Sequence, residues 1–387
     1  MDNMKEKILT VAAAVVFYGI VVVDILVPDR YFSEKENRIL QQKPEFSTEA
    51  FFSGEYAQES ERYAADQFAG RDRFIQLKTG TQRLLGERLI NGVYLGSDEC
   101  LFLQHLSKDA GGDGTLEENA AQKLPELVAD VAAYRENCAG GKVKVMLVPS
   151  SGSIWADKMP PYTASLQFGE RSFLEKSRTL LEQEWPEDEV WVDVCGRLSA
   201  HREEPVYYKT DHHWTTLGAY YGYTAWAESM GLSPRSMDRF VRRRVSTDFQ
   251  GTLQSRLNIP WQADSIEIFE PVSMKTYCVT YDLGQKETDS LYEPGYLDTK
   301  NQYGFFLDDN HALIRIRTKE AEEPGRSILV IKDSYANCFV PFLTEHYGTV
   351  YVLDKRYYHG SVNVFLNEKK VKDVLILYQI YGFLENG

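Results

Sequence analysis

Two short stretches carry the residue types from which acyl-transfer chemistry is built: "YYKTDHHWTTLG", Tyr207 to Gly218, and "ILVIKDSYAN", Ile328 to Asn337. An imidazole with a carboxylate beside it keeps a proton on one ring nitrogen and offers the other as a base. A serine is the nucleophile that such a base activates. In an extended segment Asp211 and His213 project to one side and His212 to the other, which makes His213 the base and Asp211 its orienting acid. Taken alone, the first stretch is equally a polar helix cap with a satisfied histidine, and Asp333-Ser334 is equally a pair of capping residues. The third possibility is a metal site, but His105, His201, His311, His346 and His359 show no ligand spacing. Cys100, Cys138, Cys195, Cys278 and Cys338 are far apart and form no C-x-x-C pair. No metal and no cofactor is expected.

The elements around these residues decide between caps and a catalytic set. From Gly140 onward, apolar runs at Lys142–Val148, Glu189–Val194, Ser327–Lys332, Thr349–Asp354 and Val371–Tyr378 alternate with helical segments at Ser172–Gln183, Thr216–Met230 and Asn337–Tyr347. Continuous apolar strands separated by helices predict an α/β fold, a mostly parallel sheet with helices on both faces. Such sheets place ligands at the carboxyl ends of their strands. Ser334 follows one of those ends at a strand-to-helix turn, where backbone N–H groups face a developing oxyanion. Thr215 or Thr216 can cap the helix behind His213. The joint placement of the two stretches favours an Asp211, His213, Ser334 triad over two unrelated caps. Before Gly140 the chain reads as polar and helix-rich from Asp29 to Gln104, with a short hairpin at "GVYLGSDECLFL" toward the end of that stretch, then a loop at Gly111–Gly114 and a helix from Leu116 to Asn137. Residues 231–325 fit the alternating pattern poorly and read as an irregular insertion.

Composition narrows the classes of function. The chain has 387 residues, enough for a large core, and its net charge of −14 opposes a nucleic-acid partner, whose phosphates have to be neutralised by Lys and Arg. At the N-terminus, Lys5 and Lys7 precede the run Ile8 to Val27, which is interrupted by Asp24. Set against the roughly 20 apolar residues that cross a bilayer, this run predicts a signal-anchor with the bulk of the chain outside. The expected organisation is therefore a transmembrane segment at 1–30, a helical juxtamembrane region at 31–115 and the α/β domain at 116–387.

At these residues the sequence resembles the DHHW proteins, related to the alginate-type O-acetyltransferases of the SGNH superfamily. The blocks that carry the resemblance occur in order: "SEKENR" (33–38), "DQFAGRD" (66–72), "NGVYLG" (91–96), "TDHHWT", "GTL" (251–253), "KDSYANCFVPFL" and the final "DVLILY". The resemblance implies an SGNH-like fold and a membrane-anchored, extracellular enzyme. It implies that Asp211 and His213 are the dyad, Ser334 is the nucleophile, and an acetyl group passes through an acyl-serine to a polysaccharide hydroxyl. An integral membrane O-acyltransferase would supply the acyl group. Ser334 N–H is the first oxyanion donor, with Asn310, Tyr335 and Asn337 as further candidates, and Tyr207, Tyr208 and Trp214 are the rings placed to flank a sugar. One departure stands out: the glycine of the usual G-D-S is Lys332. The alternatives are a carbohydrate esterase with the same triad and a non-catalytic surface scaffold.

Overall fold

The chain is seen in a computed structural model that describes every residue except 1, 34, 36–37, 106–114, 162 and 164–166. The loop expected at Gly111–Gly114 lies outside the described residues. Two compact units are present, Met1–Asn91 with Ser255–Pro260, and Gly92–Gln254 with Trp261–Gly387.

The first unit is helical, with helices at Asp2–Leu26, Thr48–Ser53, Glu55–Gln67 and Arg71–Leu84 and a short antiparallel pair, Phe32–Ser33 with Arg38–Ile39. Buried Asp66 ties it together: its carboxylate accepts Arg38 at 2.5 and 2.8 Å and Gln41 N at 2.8 Å, with Arg71 at 3.5 Å. The sequence blocks at 33–38 and 66–72 thus meet through one carboxylate. Arg38, the largest influence on that carboxyl, holds it below its ordinary value.

Among the described residues no helix is long and apolar enough to cross a membrane. This overturns the transmembrane segment expected at 1–30, and with it the single-pass placement in a cytoplasmic membrane with the main domain outside. Charge spacing gives the reason: between Lys7 and Asp24 the first helix has 16 residues, Ile8 to Val23. At 1.5 Å per residue these span about 24 Å, against a hydrocarbon core of about 30 Å. Asp24 is itself engaged, its Oδ1 accepting Ala69 N at 2.8 Å.

The second unit is built on seven strands: β1 (Val143–Val148), β2 (Cys278–Tyr281), β3 (Lys286–Thr288), β4 (Leu313–Arg317), β5 (Glu323–Lys332), β6 (Tyr347–Leu353) and β7 (Asp373–Gln379). Their order across the sheet is β3-β2-β4-β6-β5-β7-β1. The contacts β6/β5, β5/β7 and β7/β1 are parallel, whereas β3/β2, β2/β4 and β4/β6 are antiparallel. The sheet is therefore mixed, not mostly parallel as expected. The antiparallel half comes from 278–317, inside the stretch read as an irregular insertion. The run at Glu189–Val194 contributes one bridge, Trp191 to Val145, before turning into the helix Val194–Ala200.

Side-chain alternation along the parallel strands feeds two cores. Ile328, Val330, Leu375 and Leu377 point into one, together with Trp214 and the helix α3 (Thr216–Ser229). Leu329, Ile331, Val374 and Ile376 point into the other, against α1 (Leu116–Asn137), α2 (Glu170–Glu184), α4 (Val362–Lys369) and α5 (Ile380–Asn386). Both faces of the sheet are covered, so the carboxyl ends of β5, β7 and β1 are left at one rim. Helix α1 starts in a capping box, Thr115 with Glu118, at the residue the sequence indicated.

Candidate active site

The chain reaches the site first through the loop 209–213. Tyr207 and Trp214 face each other in an antiparallel bridge and Tyr208 N donates to His213 O at 3.2 Å, so the residues between them form a tight turn. Asp264 holds its base: Lys209 N, Thr210 N and Thr210 Oγ1 donate to its carboxylate at 3.0, 2.8 and 2.6 Å. Within the turn, Asp211 Oδ1 accepts His213 N at 3.0 Å. The two side chains meet because the backbone folds back on the carboxylate, not because an extended strand alternates. Thr215 then caps α3, its Oγ1 accepting Gly218 N at 3.2 Å.

Ser334 arrives from β5. Immediately after Lys332, Asp333 caps a single 3-10 turn, Ser334–Ala336, by accepting Tyr335 N at 3.0 Å, and its other oxygen accepts Gln379 N at 2.9 Å from the end of β7. Burial is the largest influence on Asp333 and pushes its carboxyl up to about 6. The helix expected over Asn337–Tyr347 is only the turn Val340–Leu343, with Pro341 in it. Ser334 is half-buried, and its N–H opens the turn, where a helical N–H has no intrahelical acceptor.

These two loops bring the three residues together. His213 Nδ1 lies 2.5 Å from Asp211 Oδ1 and His213 Nε2 lies 2.8 Å from Ser334 Oγ. The carboxylate fixes the ring proton on Nδ1 and turns the Nε2 lone pair toward the hydroxyl. Asp211 Oδ2 accepts Thr252 N at 2.7 Å and Thr252 Oγ1 at 3.0 Å. Burial is the largest influence on Asp211 and works against its charge, but His212, His213 and these hydrogen bonds outweigh it and hold the carboxyl well below the usual carboxylate range. The His213 ring lies flat on Tyr303, centroids 3.8 Å apart and planes 12° apart. Asp211, His212 and His213 also have ligand atoms within 4.8 Å of one another. Both nitrogens of His213 are already committed, to Asp211 and to Ser334, which is the arrangement of a proton relay rather than a coordination sphere.

His212 goes elsewhere, its Nδ1 paired with Thr252 Oγ1 at 2.8 Å. Four residues expected to touch substrate are taken up in holding the loops. Trp214, fully buried, donates Nε1 to Tyr335 O at 2.8 Å, and Tyr335, 1% exposed, donates its hydroxyl to His212 O. Asn337 and Asn310 both accept from Lys332 Nζ, at 2.9 and 2.8 Å. Tyr207 and Tyr208 are each 1% exposed, and the Tyr207 hydroxyl donates to Pro149 O at 2.6 Å. Three residues that position the site went unread in the sequence: Asp264, Thr252 and Tyr303. Thr252 lies inside the "GTL" block, whose role only the structure reveals. A Cβ on Gly251 would sit 2.2 Å from Asp211 Cβ, so a residue without a side chain lets this loop reach the carboxylate.

The sequence model of the family described as DHHW protein matches residues 192–353, a span that contains Asp211, His213 and Ser334. Among solved structures, the fold is similar to a DHHW family protein from Eubacterium siraeum, with TM-score 0.59 and 24% identity over 76% of this chain and 92% of that one. It is also similar to Bacillus cereus PatB1 with a sulfonyl adduct, with TM-score 0.59 and 19% identity over 76% of this chain and 97% of that one. The O-acetyltransferase domain of Pseudomonas putida AlgJ is a more distant likeness, with TM-score 0.45 and 15% identity over 76% and 92% of the two chains. No curated protein matches the sequence significantly. The resemblance to the DHHW proteins is borne out.

Proposed function

We propose that the chain is an SGNH-like O-acyltransferase that moves an acetyl group onto a polysaccharide hydroxyl through an acyl-serine at Ser334. The observation that carries this reading is the unbroken relay from buried Asp211 through His213 to the half-buried Ser334 hydroxyl. In the first half-reaction His213 Nε2 takes the Ser334 proton as Oγ attacks the acyl carbonyl. The tetrahedral oxyanion forms beside Ser334 N–H, and His213 then gives its proton to the leaving group. In the second half, a sugar hydroxyl gives its proton to His213 as it attacks the acyl-serine, and His213 passes that proton to Ser334 Oγ as the ester bond breaks, which restores Ser334 and the neutral imidazole. Asp211 stays ionised throughout and stabilises the imidazolium that forms in each half. As the space for an acceptor we propose a cavity of about 240 Å³ at the end of β1, two strands across the sheet from Ser334, lined by residues that include His105, Ser150, Met159, Phe168, Glu170 and Arg171 and by none of the triad. Its mixed polar and apolar walls suit a sugar ring.

An esterase would share the first half-reaction and differ only in using water for the second. The test is to incubate the protein with p-nitrophenyl acetate, follow intact mass, and add neutral oligosaccharides. The reading expects a mass increase of one acetyl group in the wild type and none in Ser334→Ala, with acetylated oligosaccharide formed as the adduct decays. Decay to free acetate alone would make the chain an esterase. Equal behaviour of wild type and Ser334→Ala would overturn the acyl-serine.

A further inference from the structure

We infer that Lys332, which stands where the usual pattern has glycine, is the positioning residue that keeps Ser334 and His213 in hydrogen-bonding register, by clamping the nucleophile turn to a left-handed turn at 307–309. The inference rests on the acyl-serine reading and adds to it a residue that touches neither substrate nor the reacting atoms.

Lys332 is the last residue of β5 and its side chain is fully buried. A buried ammonium is costly unless its donors are met. It is held by three separate segments: it donates to Asn337 Oδ1 at 2.9 Å, just past the Ser334 turn, and to Asn310 Oδ1 at 2.8 Å, and it forms an ion pair with Asp354 Oδ2 at 3.5 Å, just past β6. Asn337 passes the tie on, donating Nδ2 to Asp309 O at 3.1 Å.

The segment held this way is strained. Leu307, Asp308 and Asp309 have φ of 56°, 57° and 68°, three successive left-handed residues that all carry side chains. Such a turn persists only where its surroundings over-determine it. It closes back on the 3-10 helix Gln302–Phe305, since Asp309 N donates to Gly304 O at 2.9 Å and Asn301 Nδ2 donates to Asp309 Oδ2 at 2.8 Å. That helix carries Tyr303, whose ring backs His213 and whose hydroxyl donates to Ser334 O at 3.1 Å. One ammonium therefore reaches the nucleophile through Asn337, and the platform under the base through Asn310 and the strained turn.

The charged groups facing Lys332 are Asp354 and Arg356 beyond β6, Asp333 on its own turn, and Asp309 on the strained turn. Burial, the largest influence, lowers the lysine to about 8. Above that pH the neutral amine still has a donor for each asparagine, but the ion pair with Asp354 is lost and the clamp loosens on the β6 side.

The test compares full-length wild type, Lys332→Met and Lys332→Arg. Burst release of nitrophenol from p-nitrophenyl acetate is measured across pH 6 to 10, with thermal melting as the check on folding. Lys332→Met leaves the asparagine oxygens without their lysine donor, so it is expected to melt lower than wild type but to fold, and to acylate more slowly by on the order of 10²-fold, with half-saturation by the ester unchanged. Wild type should lose part of its rate as pH rises through about 8, and Lys332→Met should show no such limb. Lys332→Arg keeps its charge throughout, so its slowing above that pH should be absent as well. A wild-type rate and pH profile in Lys332→Met would overturn the inference. A crystal structure of Lys332→Met gives an independent measure: the Ser334 Oγ to His213 Nε2 separation should exceed hydrogen-bonding distance, and retention of the wild-type separation would overturn the inference even if wild type forms no acyl adduct. Absence of an adduct in wild type would count against the proposed function alone.

Discussion

Asp211 shows how a buried carboxylate is made useful. Taking it out of water opposes its charge, yet two imidazoles and the Thr252 donors more than compensate, and its pKa falls below that of an unfolded aspartate. The unfolded chain then binds the proton more readily than the folded one as pH falls. The stabilisation is therefore present above the ordinary carboxylate pKa of about 4 and is lost as pH falls through the lower folded value. Asp211→Asn should be less stable than wild type at pH 7, and the gap in melting temperature should narrow toward pH 3. Acylation by this variant should fall by on the order of 10³ to 10⁴, because an amide in that position no longer selects the Nδ1–H tautomer. A gap that does not change with pH would mean that the carboxylate titrates normally. Asp211, His213 and Ser334 were legible because their types are chemically distinctive and each lies beside a readable element. Thr252, Asp264 and Tyr303 were not, since a threonine, an aspartate and a tyrosine in an irregular stretch carry no local mark of the partner each meets from 31 or more residues away.

At the scale of elements, the site depends on how closely two loops approach each other. Gly251 is where the approach is tightest, so Gly251→Ala has to push the 251–252 backbone off Asp211. We expect a loss of about 1–3 kcal/mol in denaturant unfolding, as for other overpacked sites, and acyl bursts at least roughly tenfold slower. An unchanged burst would show that the Thr252 hydrogen bonds are dispensable. The parallel strands and α1, α2 and α3 could be read directly, since continuous apolar runs and a capping box are strong local signals. β2, β3 and β4 could not. Their runs are short, and in β4 the sequence "LIRIR" sets buried Leu313, Ile314 and Ile316 beside an exposed Arg317, a pattern too brief to separate from a loop. The helix expected after Asn337 shrank because the segment is buried on all sides and must turn within a few residues to enter β6.

At the scale of the whole molecule, the parallel half of the sheet aligns the carboxyl ends of β5, β7 and β1, and the antiparallel half supplies the segment that leads to Tyr303 and the strained turn. Asp333 links the ends of β5 and β7 through Gln379 N. Tyr381, at the start of α5, continues the line to Glu170, which in turn accepts Ser150 N beyond β1. Ser334 is thus fixed within a rim cross-linked from strand to strand. The N-terminal run reaches membrane-spanning length only if it is counted across Asp24, and its charge-free stretch ends before that residue.

The central claim is that Ser334 is activated by His213, and covalent labelling tests it most directly. The protein would be treated with a small sulfonyl fluoride, which modifies activated serine hydroxyls, and the site and rate read by peptide mass spectrometry. The account predicts one fast adduct at Ser334, its rate cut by on the order of 10³ or more in His213→Ala and nearly unchanged in His212→Ala. Labelling of Ser334 at the same rate in His213→Ala, or no faster than at other exposed serines of the wild type, would contradict it.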